Sequence, residues 1–362
     1  MGKPKTKKTK EHPYVPVVLD ALLSVALVGM IGCIGWRVAA GGDTINQTST
    51  YSDIAGTDEI TSPTEEATEV PSIIYQNEEY INLDVYNGPL TLVNADEPFR
   101  GTGDFLVSLY ETKLAAESHS FSVRDAELQL RQEAADNIIT MLDDFFEATY
   151  DDNILVLTGY RSKERQQELY EANLAESEDD EEASSVAKGG YSEHQTGYGV
   201  DLSLLGEDDY DGTGIYAWIN EHCHEYGYVL RYTEAKESIT QVTPEPWHYR
   251  YVGKPHAYYM TTNRLCMEEY IDLLREYPYE GEHLSVTDED GTVYEIYFVE
   301  ASTSFATTMV PVPGKLSYEV SGNNSDGFIV TVNTGEKDAS AAKPTASEST
   351  EATEETTEPT EE

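Results

Sequence analysis

Apolar positions along the chain fall into three textures. A run from Val17 to Trp36, interrupted only by Asp20, follows a basic stretch carrying Lys3, Lys5, Lys7, Lys8 and Lys10. A helix rising about 1.5 Å per residue would cross one bilayer in such a length. Lysines before the run and little positive charge after it orient the remainder outward. The length of the run, and the absence of a small-x-small site after it, favour a retained anchor over a cleaved signal peptide. Met30-Ile31-Gly32-Cys33 resembles a lipoprotein cleavage site only loosely.

Beyond residue 80 the pattern becomes periodic. From Ala126 to Thr149, Leu128, Leu130, Ile138, Ile139, Leu142 and Phe146 recur at helical spacing, which predicts a helix. Ile154–Leu157 reads as a short buried strand with Thr158–Ser162 at its end, and Lys163–Leu174 as the next helix. Short strands follow near Val200, Val229 and Tyr249, with a helix over Ile215–Tyr226 between them. Helices flanking a small antiparallel sheet make this an α+β domain over 80–280. About 200 residues can bury a sizeable core without disulfides. Thr292–Val299, Ala306–Val312 and Leu316–Val332 alternate with period two, with Asn323-Asn324-Ser325-Asp326-Gly327 as a turn signal. They predict a β-rich extension over 281–334, either packed on that domain or forming a small appendage.

The third texture lacks apolar groups. Residues 39–79 are an acidic Ser/Thr-rich linker and 335–362 an acidic tail, neither able to bury enough surface to fold. As a flexible coil, about forty residues would span roughly 35 Å. The expected order is therefore a cytoplasmic basic segment (1–16), a transmembrane anchor (17–38), linker, α+β domain, extension and tail. A net charge of −45 argues against nucleic-acid binding, and no Gly-rich phosphate loop is present. Glu176–Glu182 reads as a solvated acidic loop. Cys223 and Cys266, the cysteines outside the apolar run, could pair or remain buried thiols.

Candidate chemistry concentrates in two short stretches. His194 and Asp201 lie in Ser192-Glu193-His194-Gln195-Thr196-Gly197-Tyr198-Gly199-Val200-Asp201, and His248 in Glu245-Pro246-Trp247-His248. Two imidazoles and a carboxylate are what a catalytic zinc site needs, with a second carboxylate as base. On a straight strand His194 and Asp201 would face opposite sides, so Gly197 and Gly199 are expected to turn the chain between them. Glu245 and His248 would also diverge, and Pro246 breaks that regularity. A serine triad of Ser192, His194 and Asp201 is set aside: three members inside ten residues could hardly adopt its geometry, and no Gly-x-Ser-x-Gly elbow exists. His222-Cys223-His224 looks metal-like, but adjacent helical positions point apart and cannot share one ion. Trp218 and His222 are expected to share a face there.

These blocks closely resemble the VanY-type D-alanyl-D-alanine carboxypeptidases. The resemblance spans roughly residues 80–280 and includes Thr158-Gly159-Tyr160-Arg161-Ser162 and Gly227-Tyr228-Val229-Leu230-Arg231-Tyr232 in the family's order. It implies one Zn²⁺ held by His194, Asp201 and His248, with Glu245 as general base. It also implies Arg161 as a substrate and transition-state contact, with Ser192 and Gln166 near the substrate. Tyr198-Gly199 departs from the small apolar pair usual in the family, which bears on pocket shape rather than on the ligands. The function implied is a membrane-anchored, extracytoplasmic carboxypeptidase trimming the terminal D-alanine of peptidoglycan stem peptides. An L,D-carboxypeptidase or endopeptidase of the same superfamily, or a non-catalytic zinc-containing wall-binding module, are the rivals. The latter would have no need of Glu245.

Overall fold

The computed structural model describes residues 73–176, 186–206 and 210–340. The expected anchor at 17–38, the linker up to residue 72, most of the acidic loop after Glu176 and the tail from residue 341 lie outside these. Among the described residues no helix is long and apolar enough to cross a membrane.

The first strand, β1 (Tyr75–Ile81), precedes a short hairpin-like pair, β2 (Leu106–Ser108) and β4 (Gln129–Arg131), with α1 (Leu109–Ala115) and β3 (Ser122–Val123) between them. The long helix α2 (Gln132–Thr149) starts six residues later than its periodicity predicts. Its expected first turns are instead extended, because tertiary contacts hold them so. Leu109 N–H donates to the Leu128 carbonyl (2.9 Å) and Arg131 N–H to the Gly197 carbonyl (3.0 Å). The Arg131 guanidinium also donates to the carbonyls of Thr196 and Thr102. Leu128 and Leu130 are buried all the same. The helix itself buries Ala134, Ala135, Ile138, Ile139, Met141, Leu142 and Phe145. Each large apolar side chain buried this way contributes roughly 1.5–3 kcal/mol. Phe145 takes the core position expected of Phe146.

Next come β5 (Ile154–Thr158), α3 (Lys163–Glu176), β6 (Gly199–Leu204), α4 (Ala217–His222), β7 (Tyr228–Tyr232), α5 (Glu237–Thr240) and β8 (Glu245–Tyr251). They build a five-stranded sheet ordered β3-β5-β6-β8-β7. The sheet is antiparallel except for β3, which runs parallel to β5, so it is mixed where a purely antiparallel one was expected. The helix expected over Ile215–Tyr226 is broken into α4 and two flanking 3₁₀ turns, ending at Gly227 in the left-handed region (φ 79°). Trp218 and His222 do share a face, with ring centroids 4.4 Å apart.

Two helices, α6 (Lys254–Asn263) and α7 (Met267–Leu274), lead into the extension: β9 (Leu284–Thr287), β10 (Thr292–Glu300), β11 (Thr307–Pro313), β12 (Tyr318–Gly322) and β13 (Gly327–Lys337). Four of these form an antiparallel sheet ordered β12-β13-β10-β9, while β11 pairs with β1 from the other end of the domain. The Asn323–Gly327 turn forms as the composition suggests, the Asn323 side-chain oxygen accepting from three successive N–H groups. The extension is packed on the α+β domain: Val229 and Val252 share one core with Met267, Ile271, Ile296 and Ile329. Cys223 and Cys266 are both buried free thiols.

Candidate active site

Asp201 on β6 and His248 on β8 are directly opposite in the antiparallel register, and Thr158 of β5 lies on the other side of Asp201. The middle of the sheet thus presents the carboxylate and one imidazole side by side. His194 arrives from outside the sheet, on the 3₁₀ turn Glu193–Thr196. Gly197 ends that turn at φ 76°, a conformation that costs a side-chain-bearing residue about 1 kcal/mol or more, and the chain then enters β6. Gly199 is packed against the His248 ring, where an added Cβ would come within 3.2 Å of Cε1. The turn expected between His194 and Asp201 is therefore present, with Gly197 making it.

The convergence of Glu245 and His248 has a different origin from the one expected. Pro246 does not interrupt β8. Leu230 pairs with Tyr249 but Tyr232 pairs with Glu245, so two steps along β7 correspond to four along β8. This bulge over Pro246-Trp247-His248 re-aims both side chains towards the same side, a common device next to active sites. The Glu245 carboxyl is half-buried and lies close enough to sense the charges of His248, Asp201, Glu193 and Arg231. Burial, with Asp201 and Glu193, raises its pKa above the usual carboxylate value against the pull of His248.

One ligand-capable atom each from His194, Asp201 and His248 lie within 4.8 Å of one another. His194 Nε2 is 3.1 Å from Asp201 Oδ2, and His248 Nδ1 is 2.7 Å from Asp201 Oδ1. The outer nitrogen of each ring is held by the protein. His194 Nδ1 is 2.9 Å from the Gly159 carbonyl, a pure acceptor, so Nδ1 carries a hydrogen and Nε2 is the nitrogen turned towards Asp201 and the candidate ion position. His248 Nε2 is 3.2 Å from Glu193 Oε2, and the Tyr232 ring stacks on the imidazole at 5.2 Å. Burial pulls the His248 pKa down, but its bonds to Asp201 and Glu193 outweigh this and push it up to about 10. Burial likewise acts to raise Asp201, yet His194 and His248 hold it well below the usual range. A cation at this point would replace the proton that the carboxylates draw onto His248. Two imidazoles, each with an outer partner, and an ionised carboxylate fit a divalent ion with zinc's ligand preferences.

Glu193 is the residue that reading the sequence missed. It is 2% exposed, and its Oε1 accepts from Arg231 Nε (2.8 Å) and makes an ion pair with Arg250 Nη1 (2.9 Å). Arg231 also binds Glu268 through both terminal nitrogens, at 3.0 and 2.7 Å, and Arg250 reaches the carbonyls of Pro89 and Thr91. Burial alone would raise the Glu193 pKa, but Arg231, Arg250 and His248 drive it far below the carboxylate range. The available signal was a Glu beside the candidate ligand His194, and two arginines set in apolar strands of a very acidic chain.

Arg161 follows β5, and its N–H donates to the His194 carbonyl (3.1 Å), which ties the two candidate residues through the backbone. Its Nη1 donates to Gln166 Oε1 (2.8 Å), and Gln166 in turn donates to the Ala187 carbonyl, so Gln166 orients the guanidinium. Burial lowers the Arg161 pKa, while Asp201 opposes that shift. A cavity of about 430 Å³ lies here, lined by Arg124, Thr158, Tyr160, Arg161, Ser162, Arg165 and Leu169. Ser192 is buried immediately before the His194 turn.

The chain matches known proteins over this region. The family model described as VanY, D-alanyl-D-alanine carboxypeptidase, matches residues 127–254. A D-alanyl-D-alanine carboxypeptidase of Enterococcus faecium is 33% identical over 251 residues, covering 68% of this chain and 76% of that protein. A putative carboxypeptidase of Bacillus subtilis, YodJ, is 28% identical over 276 residues, covering 71% of this chain and 96% of the relative. The solved structure of the vancomycin-resistance D,D-dipeptidase VanXYg, in complex with a D-Ala-D-Ala phosphinate analogue, aligns with a TM-score of 0.63 at 30% identity. It covers 72% of this chain and 99% of that one.

Proposed function

The chain belongs to the VanY family of D-alanyl-D-alanine carboxypeptidases, and from this we propose that it is a membrane-anchored, extracytoplasmic zinc carboxypeptidase removing the terminal D-alanine of peptidoglycan stem peptides. The observation that carries the reading is the convergence of His194, Asp201 and His248 within 4.8 Å, with the Glu245 carboxyl beside them.

His194, Asp201 and His248 would hold the ion. When bound, zinc would act as a Lewis acid on the scissile carbonyl and lower the pKa of the attacking water towards ~7. Glu245 takes the proton from that water and delivers it to the leaving D-alanine amine. A carboxylate with a raised pKa suits both halves of that transfer better than a free one. The Arg161 fork, held by Gln166, grips the substrate's terminal carboxylate or the developing oxyanion. Glu193 keeps the His248 ring in place. Membrane attachment rests on the apolar run Val17–Trp36 and the lysines before it. It is checked by finding the intact chain in the membrane fraction and its catalytic domain accessible to external protease.

The test of the activity is release of free D-alanine by the full-length protein from a muramyl pentapeptide and a tetrapeptide, with and without chelator. Chelator-sensitive release from the pentapeptide is expected. Release from the tetrapeptide alone would replace the reading with an L,D activity. With zinc bound, no release from either would point to an endopeptidase or a binding module.

A further inference from the structure

The run His222-Cys223-His224 is split by the fold into three environments. His222 stacks on Trp218 and has its Nδ1 2.7 Å from Glu225. Cys223 is buried in the catalytic core. His224 turns towards the extension, where its Nε2 is in close contact with Oε1 of Glu289, in the turn between β9 and β10. We propose that His224, Glu225 and Glu289 form a second divalent-cation site, for a zinc-class ion, which clamps the β9–β10 turn of the extension to the turn that enters β7.

Three observations support it. One ligand-capable atom from each of the three residues lies within 4.8 Å of the others, as in the His194, Asp201 and His248 trio. In both groups an imidazole nitrogen lies directly against a carboxylate oxygen, where an ion can take its place between them. The second observation is burial. The side chains of His224, Glu289 and Glu225 are only 13%, 16% and 28% exposed, so this is not a solvated acidic patch. Glu225 already has the His222 imidazole beside it and Glu289 that of His224, and a cation shared between the two carboxylates would add to this stabilisation. Asp144 adds to the crowding, since Tyr226 donates to it at 2.6 Å and also senses Glu225 and Glu289. Thirdly, Nδ1 of His224 is buried and has no hydrogen-bond partner, so the protein's own groups leave the ring incompletely satisfied.

The donor set selects the ion. One imidazole with two carboxylates favours zinc and related transition metals over calcium or magnesium, which prefer all-oxygen shells. The site's position suggests its effect. Glu289 belongs to the extension, whereas His224 and Glu225 belong to the 3₁₀ turn immediately before β7, the strand whose register with β8 aims Glu245 and His248. An ion here adds a bond between two chain segments 64 residues apart (289 − 225) and removes their freedom to part.

The experiment is zinc stoichiometry on the chelator-stripped full-length protein, by equilibrium dialysis and elemental analysis. Asp201→Asn blinds the first site and Glu289→Gln the second. Expected counts are two ions for the natural sequence, one for each single variant and none for the double variant. Zinc should raise the melting temperature of Asp201→Asn but not of the double variant. Glu289→Gln should keep D-alanine release, which reports that it is folded. A folded Asp201→Asn that binds no zinc would overturn the proposal, as would a double variant binding as much as Asp201→Asn. Should Asp201→Asn fail to fold, equal counts for the natural sequence and Glu289→Gln overturn it instead. The outcome is independent of whether the first site releases D-alanine.

Discussion

Replacing Glu193 with Gln keeps the side chain's size and removes one buried negative charge. In the natural protein two carboxylates, Glu193 and Glu268, balance two guanidiniums, Arg231 and Arg250, and all but Glu268 are almost fully buried. In Glu193→Gln, Arg231 keeps its two bonds to Glu268 and Arg250 its three backbone carbonyls, which leaves one positive charge uncompensated. Breaking a buried pair costs ~3–5 kcal/mol, and the retained partners place this case near ~3. For a domain of this size that is a fall in melting temperature of roughly 6–12 °C. His248 also loses its charged outer partner, which weakens metal binding by about 10–100-fold. Both effects are measurable on one preparation, by melting the metal-free protein and by following D-alanine release in zinc buffers of decreasing free concentration. The sign with pH is fixed as well. Because the folded-state pKa of Glu193 is depressed, its contribution is complete above the unfolded value and lost as pH falls below it. The gap between variant and natural protein should therefore narrow progressively as pH falls below the ordinary glutamate range. A variant melting within 2 °C of the natural protein at pH 7, with an unchanged zinc midpoint, would refute the role assigned to this network.

Glu245→Gln should lower kcat by about 10²–10⁴-fold while elemental analysis finds the metal still bound. Since burial raises the Glu245 pKa, the acid limb of the kcat/KM profile should fall at a pH above that of an ordinary glutamate. A limb below pH 4 would remove Glu245 as the base. Arg161→Lys, which forfeits the planar fork, should reduce kcat/KM by about 10–100-fold with little change in melting temperature. His256 is buried and neutral, its pKa pushed down to about 3 by burial, between the Tyr270 hydroxyl and Thr331. The unfolded chain takes up that proton near pH 6.5, so stability should fall by up to roughly 4 kcal/mol as pH drops from about 6.5 to 3. His256→Asn should flatten that slope in acid melts.

Donor chemistry pointed to His194, Asp201, Glu245 and His248, because ligand types are legible residue by residue, and the family resemblance supplied their roles. What brings them together was only half legible. Gly197 announces its turn, but the bulge in β8 depends on how many residues of β7 lie opposite, which is a property of two strands and not of either segment. The same reason hid Glu193: its importance comes from Arg231 and Arg250, 38 and 57 residues away (231 − 193 and 250 − 193). Helical periodicity found α2 but overran its start, since contacts from Leu109 and Gly197 hold residues 128–131 extended. The alternation from Thr292 onward identified strands of the extension but not β9, which is only four residues long. It could not reveal that β1, at the other end of the domain, pairs with one of them.

That pairing has a consequence for how the protein is made. Tyr75 faces Pro313, 238 residues later (313 − 75). At about 5–20 residues per second, β1 waits on the order of 10–50 seconds after synthesis before its partner strand exists. Until then its edge is open, a state that invites mispairing. The Pro89 and Thr91 carbonyls that receive Arg250 lie on the segment following β1, and Asn323 and Ser321 of the extension hold that segment by hydrogen bonds. A chain cut short at residue 280 would hence lose more than a peripheral sheet. Its catalytic network would be left with a guanidinium whose cover is no longer fastened, so the last strands synthesised act as the latch on the first.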